Sequence, residues 1–429
     1  MQYIFDRWKT SKNFFIQNFC KVPASPLIPV PYRRGHFFFG INGPNFKGAK
    51  YAAHALSKGA SYAIIDDPEF VNDERIIFCE NTLLALQELA RFHRNLFQKP
   101  VIALTGSNGK TTTKELINRV LQKKYITKAT RGNLNNHLGV PLTLLDIGPQ
   151  VEVAIIEMGA NHIGEIAELC AIAKPTHGLI TNIGHAHTAT FGGIEGVIRG
   201  KSELFEHLRA TAGTPFINID DLVLSNMAKR FDKKITYPSD ELAFLSAEPM
   251  VHYSFNGTLH KTNLMGAYNY SNIAAAYSIG RHFEVDQEAI LSAIDSYIPD
   301  NMRSQYVKKG TNQLILDAYN ANPDSMRVAL KNLAGFKGKK VAILGDMNEL
   351  ENPEEAHINL LKEANEISLE MLLLVGVQMH KAKEIALDAI WFASVADAAA
   401  FLNNRSIENS TVLIKASRSM KLEELIDSF

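Results

Sequence analysis

The sequence predicts an α/β protein of three domains, and three observations carry that expectation. The chain has 429 residues, more than a single hydrophobic core organises. Short apolar runs alternate with helical stretches along most of its length. The alternation is interrupted at Gln98-Lys99-Pro100 and again at Pro299, so the expected units are 1–98, 99–299 and 300–429.

In the first unit, apolar strands at His36–Ile41, Ala63–Ile65 and Ile76–Phe78 alternate with helices at Lys50–Lys58 and Leu83–Phe97, which implies a small α/β unit. The second unit opens with the strand Val101–Leu104. It continues with the strands Val151–Ile156, Gly178–Thr181 and Phe216–Ile219, separated by helical stretches at Ile163–Ala173 and Ile194–Leu208. A mostly parallel sheet covered on both faces is expected. In the third unit Leu314–Leu316, Val341–Leu344, Leu372–Val375 and Val412–Ile414 read as buried strands of a Rossmann-like domain. No internal repeat or low-complexity segment is present.

Composition excludes several partners. The chain is 46% hydrophobic and 21% charged, with 45 basic and 45 acidic residues, so nothing draws it to nucleic acid or an anionic membrane. Cys20, Cys79 and Cys170 are widely spaced and outside any CxxC pair, which argues against a disulfide framework or zinc knuckle and fits a reducing cytoplasm. Met1–Phe15 lacks the apolar run of a signal peptide, and no apolar stretch is long enough for a spanning helix.

Four constellations point to chemistry. The first is Thr105-Gly106-Ser107-Asn108-Gly109-Lys110-Thr111-Thr112-Thr113, between an apolar strand and a helix with the inward stripe Leu116, Ile117, Val120 and Leu121. Glycines there let backbone N–H groups turn toward an anion, Lys110 reaches terminal phosphates, and the Thr111 hydroxyl is suited to Mg²⁺. Position 104 is Leu, so the strict G-x-x-x-x-G-K-[ST] string is not met, and a glycine turn with a solvated lysine is the plainer alternative. The second is Glu157, at the carboxyl end of Val153–Ile156. It is placed either to hold Mg²⁺ or to cap a turn.

The third is Lys201, which falls inside the apolar stripe Ile194, Val197, Ile198, Leu204, Phe205 and Leu208. Residue chemistry favours a snorkelling lysine; a desolvated neutral amine able to take up CO₂ as a carbamate is the alternative. Upstream, Asn182, His185 and His187 follow a strand, where an imidazole can meet metal or phosphate. The fourth is Asp317 to Met326 after the strand Leu314–Leu316. Its Asn320, Asn322 and Ser325 suit ribose hydroxyls or a small zwitterion, though Asn-Pro-Asp-Ser is also an ordinary helix start.

These segments together resemble the Mur ligase family over nearly the whole chain. The resemblance rests on 105–115, on Gly132-Asn133-Leu134-Asn135-Asn136 with Gly139–Leu145, and on Glu157–His162. It extends through Gly266–Asn269 with Asn272, Asp317–Met326, Gly345-Asp346-Met347 with His357, and Lys415 with Ser417. Within the family the Asp317–Pro323 string points to the branch that adds D-alanyl-D-alanine. The resemblance implies an ATP-dependent amide-forming ligase that phosphorylates the terminal carboxylate of UDP-N-acetylmuramoyl-tripeptide for attack by the dipeptide amine, in peptidoglycan precursor synthesis. It implies an N-terminal domain for the UDP substrate, a central ATPase domain of phosphate-loop type, a cytoplasmic monomer, and ATP and Mg²⁺ as cofactors.

Residue by residue, it gives 106–112 to the nucleotide phosphates, with Lys110 at the β and γ groups. Thr111 and Glu157 go to one Mg²⁺, and His187 with carbamylated Lys201 to a second, which reverses the snorkelling preference. Asn269 and Asn272 go to adenine or its surroundings, and Arg303 and Asp317 to the phosphate and ribose side of ATP. Asn133, Asn135 and Asn136 go to substrate, and Asn320, Asn322 and Ser325 to the dipeptide. Two departures are visible. The polar string that holds UDP in the family is replaced by Ser25 to Phe37, where Arg33 or Arg34 is expected to substitute, and Thr188-Ala189-Thr190 stands where Leu-Glu-Gly is usual. The competing readings are a ligase adding the third residue, a folylpolyglutamate-synthase-like enzyme, and a catalytically silent nucleotide-binding regulator.

Overall fold

The computed structural model describes residues 37–43, 46–185, 187–300, 302–348 and 350–429. Arg33, Arg34 and Cys20 lie outside the described residues. The N-terminal unit is a three-stranded parallel sheet of β1 (Phe37–Phe39), β2 (Tyr62–Ile65) and β3 (Ile76–Phe78), in that order. The helix Thr82–Leu96 turns Ala85, Leu86, Leu89 and Ala90 inward. Those residues share one continuous core with Val101, Ala103, Ile156 and Leu169 of the next unit, so the first sheet is fixed to the second by apolar packing. Arg94, buried at the end of the same helix, donates to Ala173 O at 2.6 Å and Lys174 O at 2.7 Å, satisfying carbonyls at a helix C-terminus.

The second sheet contains β4 (Val101–Thr105), β5 (Thr127–Ala129), β6 (Val153–Glu157), β7 (His177–Ile180), β8 (Thr214–Asn218) and β9 (Ile235–Tyr237), in the order β5-β6-β4-β7-β8-β9. All its neighbours are parallel. The near-continuous apolar runs of β4 and β6 follow from burial on both faces. From β4 the chain builds first to one side and then to the other. The crevice at the carboxyl end of β4 is therefore a topological switch point, where an open α/β sheet binds its ligand.

One feature was not expected from sequence. β10 (Leu242–Ala247), β11 (Met250–Phe255) and β12 (Thr258–Met265) form a separate antiparallel sheet, which packs Val251, Tyr253 and Phe255 against the helices Asn269–His282 and Gln287–Asp295. The third large sheet has the order β13-β14-β18-β15-β16-β17, from β13 (Gln305–Lys309), β14 (Asn312–Asp317), β15 (Lys339–Gly345), β16 (Met371–Val375), β17 (Ile390–Phe392) and β18 (Ser410–Lys415). Only the edge strand β13 is antiparallel, and a core lies on each face. Among the described residues no helix is long and apolar enough to cross a membrane. Cys79 and Cys170 are free thiols.

Candidate active site

β4 runs directly into the loop 106–109, whose backbone demands glycine at two points. Gly106 has φ +146°, and a Cβ there would lie 2.0 Å from Thr181 Oγ1; Gly109 has φ +80°, with its Cβ position 2.9 Å from Asn272 Oδ1. Asn182 braces the loop by accepting from Asn108 N and donating to Asn108 O, both at 3.0 Å, while Ser107 Oγ donates to Gly184 O at 3.0 Å. The helix Lys110–Leu121 starts at this loop, so its N-terminal N–H groups and positive dipole end face the switch-point crevice. Lys110 Nζ donates to Gly106 O at 2.5 Å and Ser107 O at 3.2 Å. Burial lowers its pKa to about 8 against the opposing pull of Glu157.

Thr111 and Glu157 are almost fully buried, and the Thr111 hydroxyl donates to Glu157 Oε2 at 3.0 Å. Two oxygens bound to one Mg²⁺ at about 2.1 Å and at right angles lie roughly 3 Å apart, so this pair is already spaced as adjacent octahedral ligands. Asn135 Nδ2 donates to Glu157 Oε1 at 2.9 Å. Among the described residues no cluster of three or more His, Cys, Asp or Glu gathers as a metal cage.

Lys201 lies on the helix Ile194–Ala210 and is 1% exposed, so the snorkelling expectation is corrected: the amine stays inside. Its Nζ is 3.3 Å from Ala160 O and 5.2 Å from the centre of the Phe191 ring. Gly200 lets that ring approach, since a Cβ there would meet Phe191 Cε1 at 2.4 Å. Burial, reinforced by the charge of Lys110, lowers the Lys201 pKa to about 7. His187, in a left-handed conformation at φ +60°, opens the short helix Thr188–Phe191 on the same cavity. His185 takes a different partner from metal or phosphate: Asp324 Oδ2 accepts from its backbone N at 2.9 Å and lies 3.1 Å from its Nδ1.

Across the crevice, Asp317 at the end of β14 pairs with Lys415 at 2.6 Å and accepts from Ser304 N at 3.2 Å. The Arg303 guanidinium sits 3.8 Å above the Tyr319 ring. Asn322 and Ser325 form a capping box at the start of the helix Pro323–Ala334, so the helix-start reading of this string holds; Asn322 Nδ2 also donates to Asn108 Oδ1 at 3.0 Å, joining that helix to the phosphate loop. Asn269 and Asn272 are buried beside Gly109. Asn269 Nδ2 donates to Met265 O at 2.7 Å, and Asn272 Oδ1 accepts from Thr113 Oγ1 at 2.9 Å.

One cavity of about 800 Å³ collects nearly every residue singled out from the sequence. Ser107, Asn108, Gly109, Lys110, Thr112, Asn133, Asn135, Asn136, Glu157, His187, Lys201, Asn269 and Asn272 line it from the central side, and Arg303, Asp317, Asn320, Asn322 and Ser325 from the C-terminal side. Gly106 and Thr111 sit just behind this lining. Sequence reasoning gave no role to Lys415, which is 1% exposed and also donates to Asn320 O at 3.1 Å. It also passed over Glu203, which caps the helix Glu165–Ala173 by accepting from Gly164 N at 2.6 Å and Ala167 N at 2.9 Å. Lys201 as a landmark two residues earlier was the only available hint.

Fold and site together define a class: an α/β nucleotide-phosphate-binding protein whose loop at a sheet switch point faces a second α/β domain across a shared cavity. Residues 104–280 match the Mur ligase middle domain and 302–418 the glutamate ligase domain of Mur ligases. The UDP-N-acetylmuramoyl-tripeptide--D-alanyl-D-alanine ligase of Bacillus subtilis is 31% identical over 414 residues, covering 91% of this chain and 89% of that protein. Its Escherichia coli counterpart is 31% identical, covering 91% and 90%. A crystal structure of MurF from Acinetobacter baumannii superposes with a TM-score of 0.82 at 30% identity, covering 92% and 90%. One of MurF ligase from Thermotoga maritima in complex with ADP gives 0.79 at 27%, covering 92% and 94%. The chain belongs to the Mur ligase family.

Proposed function

We propose that this chain joins D-alanyl-D-alanine to UDP-N-acetylmuramoyl-tripeptide with consumption of ATP, in peptidoglycan precursor synthesis. The observation that carries this is a single cavity holding a phosphate loop, a Thr111–Glu157 pair spaced for Mg²⁺, and the polar face of a second domain. The units 1–98, 99–299 and 300–429 then divide the work between the UDP substrate, ATP and the dipeptide. Substrates of this kind place the reaction in the cytoplasm.

In the mechanism, the loop 106–109 and the N-terminus of the helix Lys110–Leu121 orient the nucleotide phosphates. Lys110 moves from the loop carbonyls to the β and γ oxygens, where its charge offsets what builds during transfer to the tripeptide carboxylate. Mg²⁺ supplies Lewis-acid polarisation of the phosphoryl oxygens, with Thr111 and Glu157 as its protein ligands. Asn320, Asn322 and Ser325 hold the dipeptide so that its free amine attacks the acyl phosphate; phosphate leaves and the amide forms. The C-terminal face excludes water, which would otherwise hydrolyse the acyl phosphate.

Lys201 completes the site as a carbamate. Its neutral Nζ attacks the carbon of CO₂, and an N–C bond forms as one C=O π bond opens and its electron pair moves to oxygen. The amine proton passes to water, leaving a carbamate anion that with His187 would hold a second Mg²⁺. The function is tested by phosphate release. Turnover is expected only with ATP, Mg²⁺, the muramoyl tripeptide and D-alanyl-D-alanine together. Steady release without any peptide substrate would contradict the reading.

A further inference from the structure

Lys114 has no part in the chemistry above, yet it is the most enclosed cation near the site. It lies one turn into the helix Lys110–Leu121, is 0% exposed, and is not among the residues lining the cavity, so it touches no ligand there. Its Nζ donates to Thr130 O at 2.7 Å and lies 2.8 Å from Glu115 Oε1. A buried ammonium costs several kcal/mol in desolvation, whereas a methionine would pack in its place at less expense. Fastening the helix to β5 does not require the charge. Thr127 Oγ1 already donates to Asn118 Oδ1 at 2.7 Å, and Leu116, Ile117 and Val120 seal the interface with apolar contacts.

What the ammonium holds is Thr130, the residue just past β5, and all three polar groups of Thr130 are engaged. Its carbonyl accepts from Lys114, its N–H donates to Ile155 O at 3.0 Å, and its hydroxyl accepts from Glu157 N at 2.9 Å. Glu157 is thus held by its backbone from Thr130 and by its carboxylate from Thr111 and Asn135. Asn135 belongs to the same loop that Thr130 begins, and its carbonyl accepts from Gly159 N at 2.7 Å. One cation, placed out of reach of any ligand, sets the base of the loop and the strand end that carry both groups beside the metal position.

We propose that Lys114 is a positioning residue: through Thr130 it fixes Glu157 so that its carboxylate and the Thr111 hydroxyl keep the spacing of adjacent Mg²⁺ ligands. The inference rests on the functional reading given above. It is tested with the full chain by calorimetric titration of ADP at a series of MgCl₂ concentrations, with a thermal melt of each variant. Loss of an outer-shell partner usually weakens metal binding by about 10–100-fold. Lys114→Met and Thr130→Val are therefore each expected to raise the Mg²⁺ concentration at half-maximal ADP binding roughly tenfold, while Thr130→Ser, which keeps the hydroxyl, stays near wild type. A midpoint unchanged in either of the first two, whatever their melting temperature, overturns the proposal in favour of a plain structural tie. Should Lys114→Met fail to fold, Lys114→Gln takes its place with the same expected tenfold rise, because its shorter neutral side chain loses the ammonium's hold on Thr130 O, whereas Thr130→Val keeps that carbonyl and tests only the link from the Thr130 hydroxyl to Glu157 N. Wild-type ADP binding with no dependence on Mg²⁺ would instead sink the functional reading, and this inference with it.

Discussion

If Lys201 carries the proposed carbamate, stripping CO₂ from the protein or replacing Lys201 should remove an anion and lower activity. An ordinary lysine with a pKa of 10.5 is neutral in only ~0.1% of molecules at pH 7.5, whereas one at about 7 is neutral in about three quarters of them. Burial thus raises the population able to attack CO₂ several hundredfold. The direction with pH follows. At pH 6 roughly nine tenths of the same amines are protonated and the carbamate is lost; at pH 8 nearly all are neutral and it forms. In CO₂-free buffer the unfolded chain holds the extra proton between pH 7 and 10.5, so stability should rise with pH across that window.

The assay is carbon NMR with isotopically labelled bicarbonate, run beside phosphate release. Wild type should show one carbamate signal at pH 8 that fades toward pH 6 and is absent from Lys201→Ala. Lys201→Ala should lose turnover by roughly a hundredfold or more, and a short carboxylic acid should restore part of it by filling the vacated space. No labelled signal in wild type, or an alanine variant of near-normal activity, would refute the reasoning.

Lys110→Ala should lower turnover by on the order of a hundredfold or more, measured by phosphate release, because the lost charge matters most in phosphoryl transfer. Gly109→Ala forces a side chain into φ +80° and brings Cβ to 2.9 Å from Asn272 Oδ1. A strain of about 1–2 kcal/mol should lower both the melting temperature and ADP affinity, and an unaffected variant would contradict the loop geometry. Replacing Arg33 and Arg34 together by Ala should weaken binding of the UDP substrate, read as a rise in its KM of about tenfold with little change in kcat. An unchanged KM rules these arginines out as the substitute for the missing polar string.

What the sequence made legible depended on how far the determining contacts lay from the residue read. β4 and β6 are uninterrupted apolar runs, and burial on both faces leaves no other reading. β10 was missed because Ala243, Phe244 and Leu245 are exposed, which erases the alternation that marks a half-buried strand. The position of Lys201 on an apolar stripe was visible, but not its fate. Whether a lysine stem reaches water or stops inside depends here on Phe191 and Ala160, which the chain brings in from two other segments. His185 lies 139 residues from Asp324, and no local pattern announces such a pair. For Asn322 and Ser325 the two sequence readings do not compete, since side chains that cap a helix at a cavity rim can do so while facing a ligand.

The two outer units are attached to the central sheet by different physics. The N-terminal sheet shares a continuous apolar core with it, and Arg94 bonds across the junction; separating them would expose that core and strand a buried guanidinium. The C-terminal sheet has cores of its own, one of which reaches the central unit through Met265 of β12 with Met250 beside it, and near the phosphate loop its contacts are polar: Asn108 with Asn322, His185 with Asp324. Polar contacts at a wet rim exchange for water at little net cost, about 1 kcal/mol each. The rim between the C-terminal unit and the phosphate loop can therefore open at less cost than the N-terminal junction, with Met265 as the apolar tie that remains. The Asn108–Asn322 bond also makes the phosphate loop itself one of the contacts on which the closed cavity depends, so whatever settles Asn108 also settles the start of the helix Pro323–Ala334.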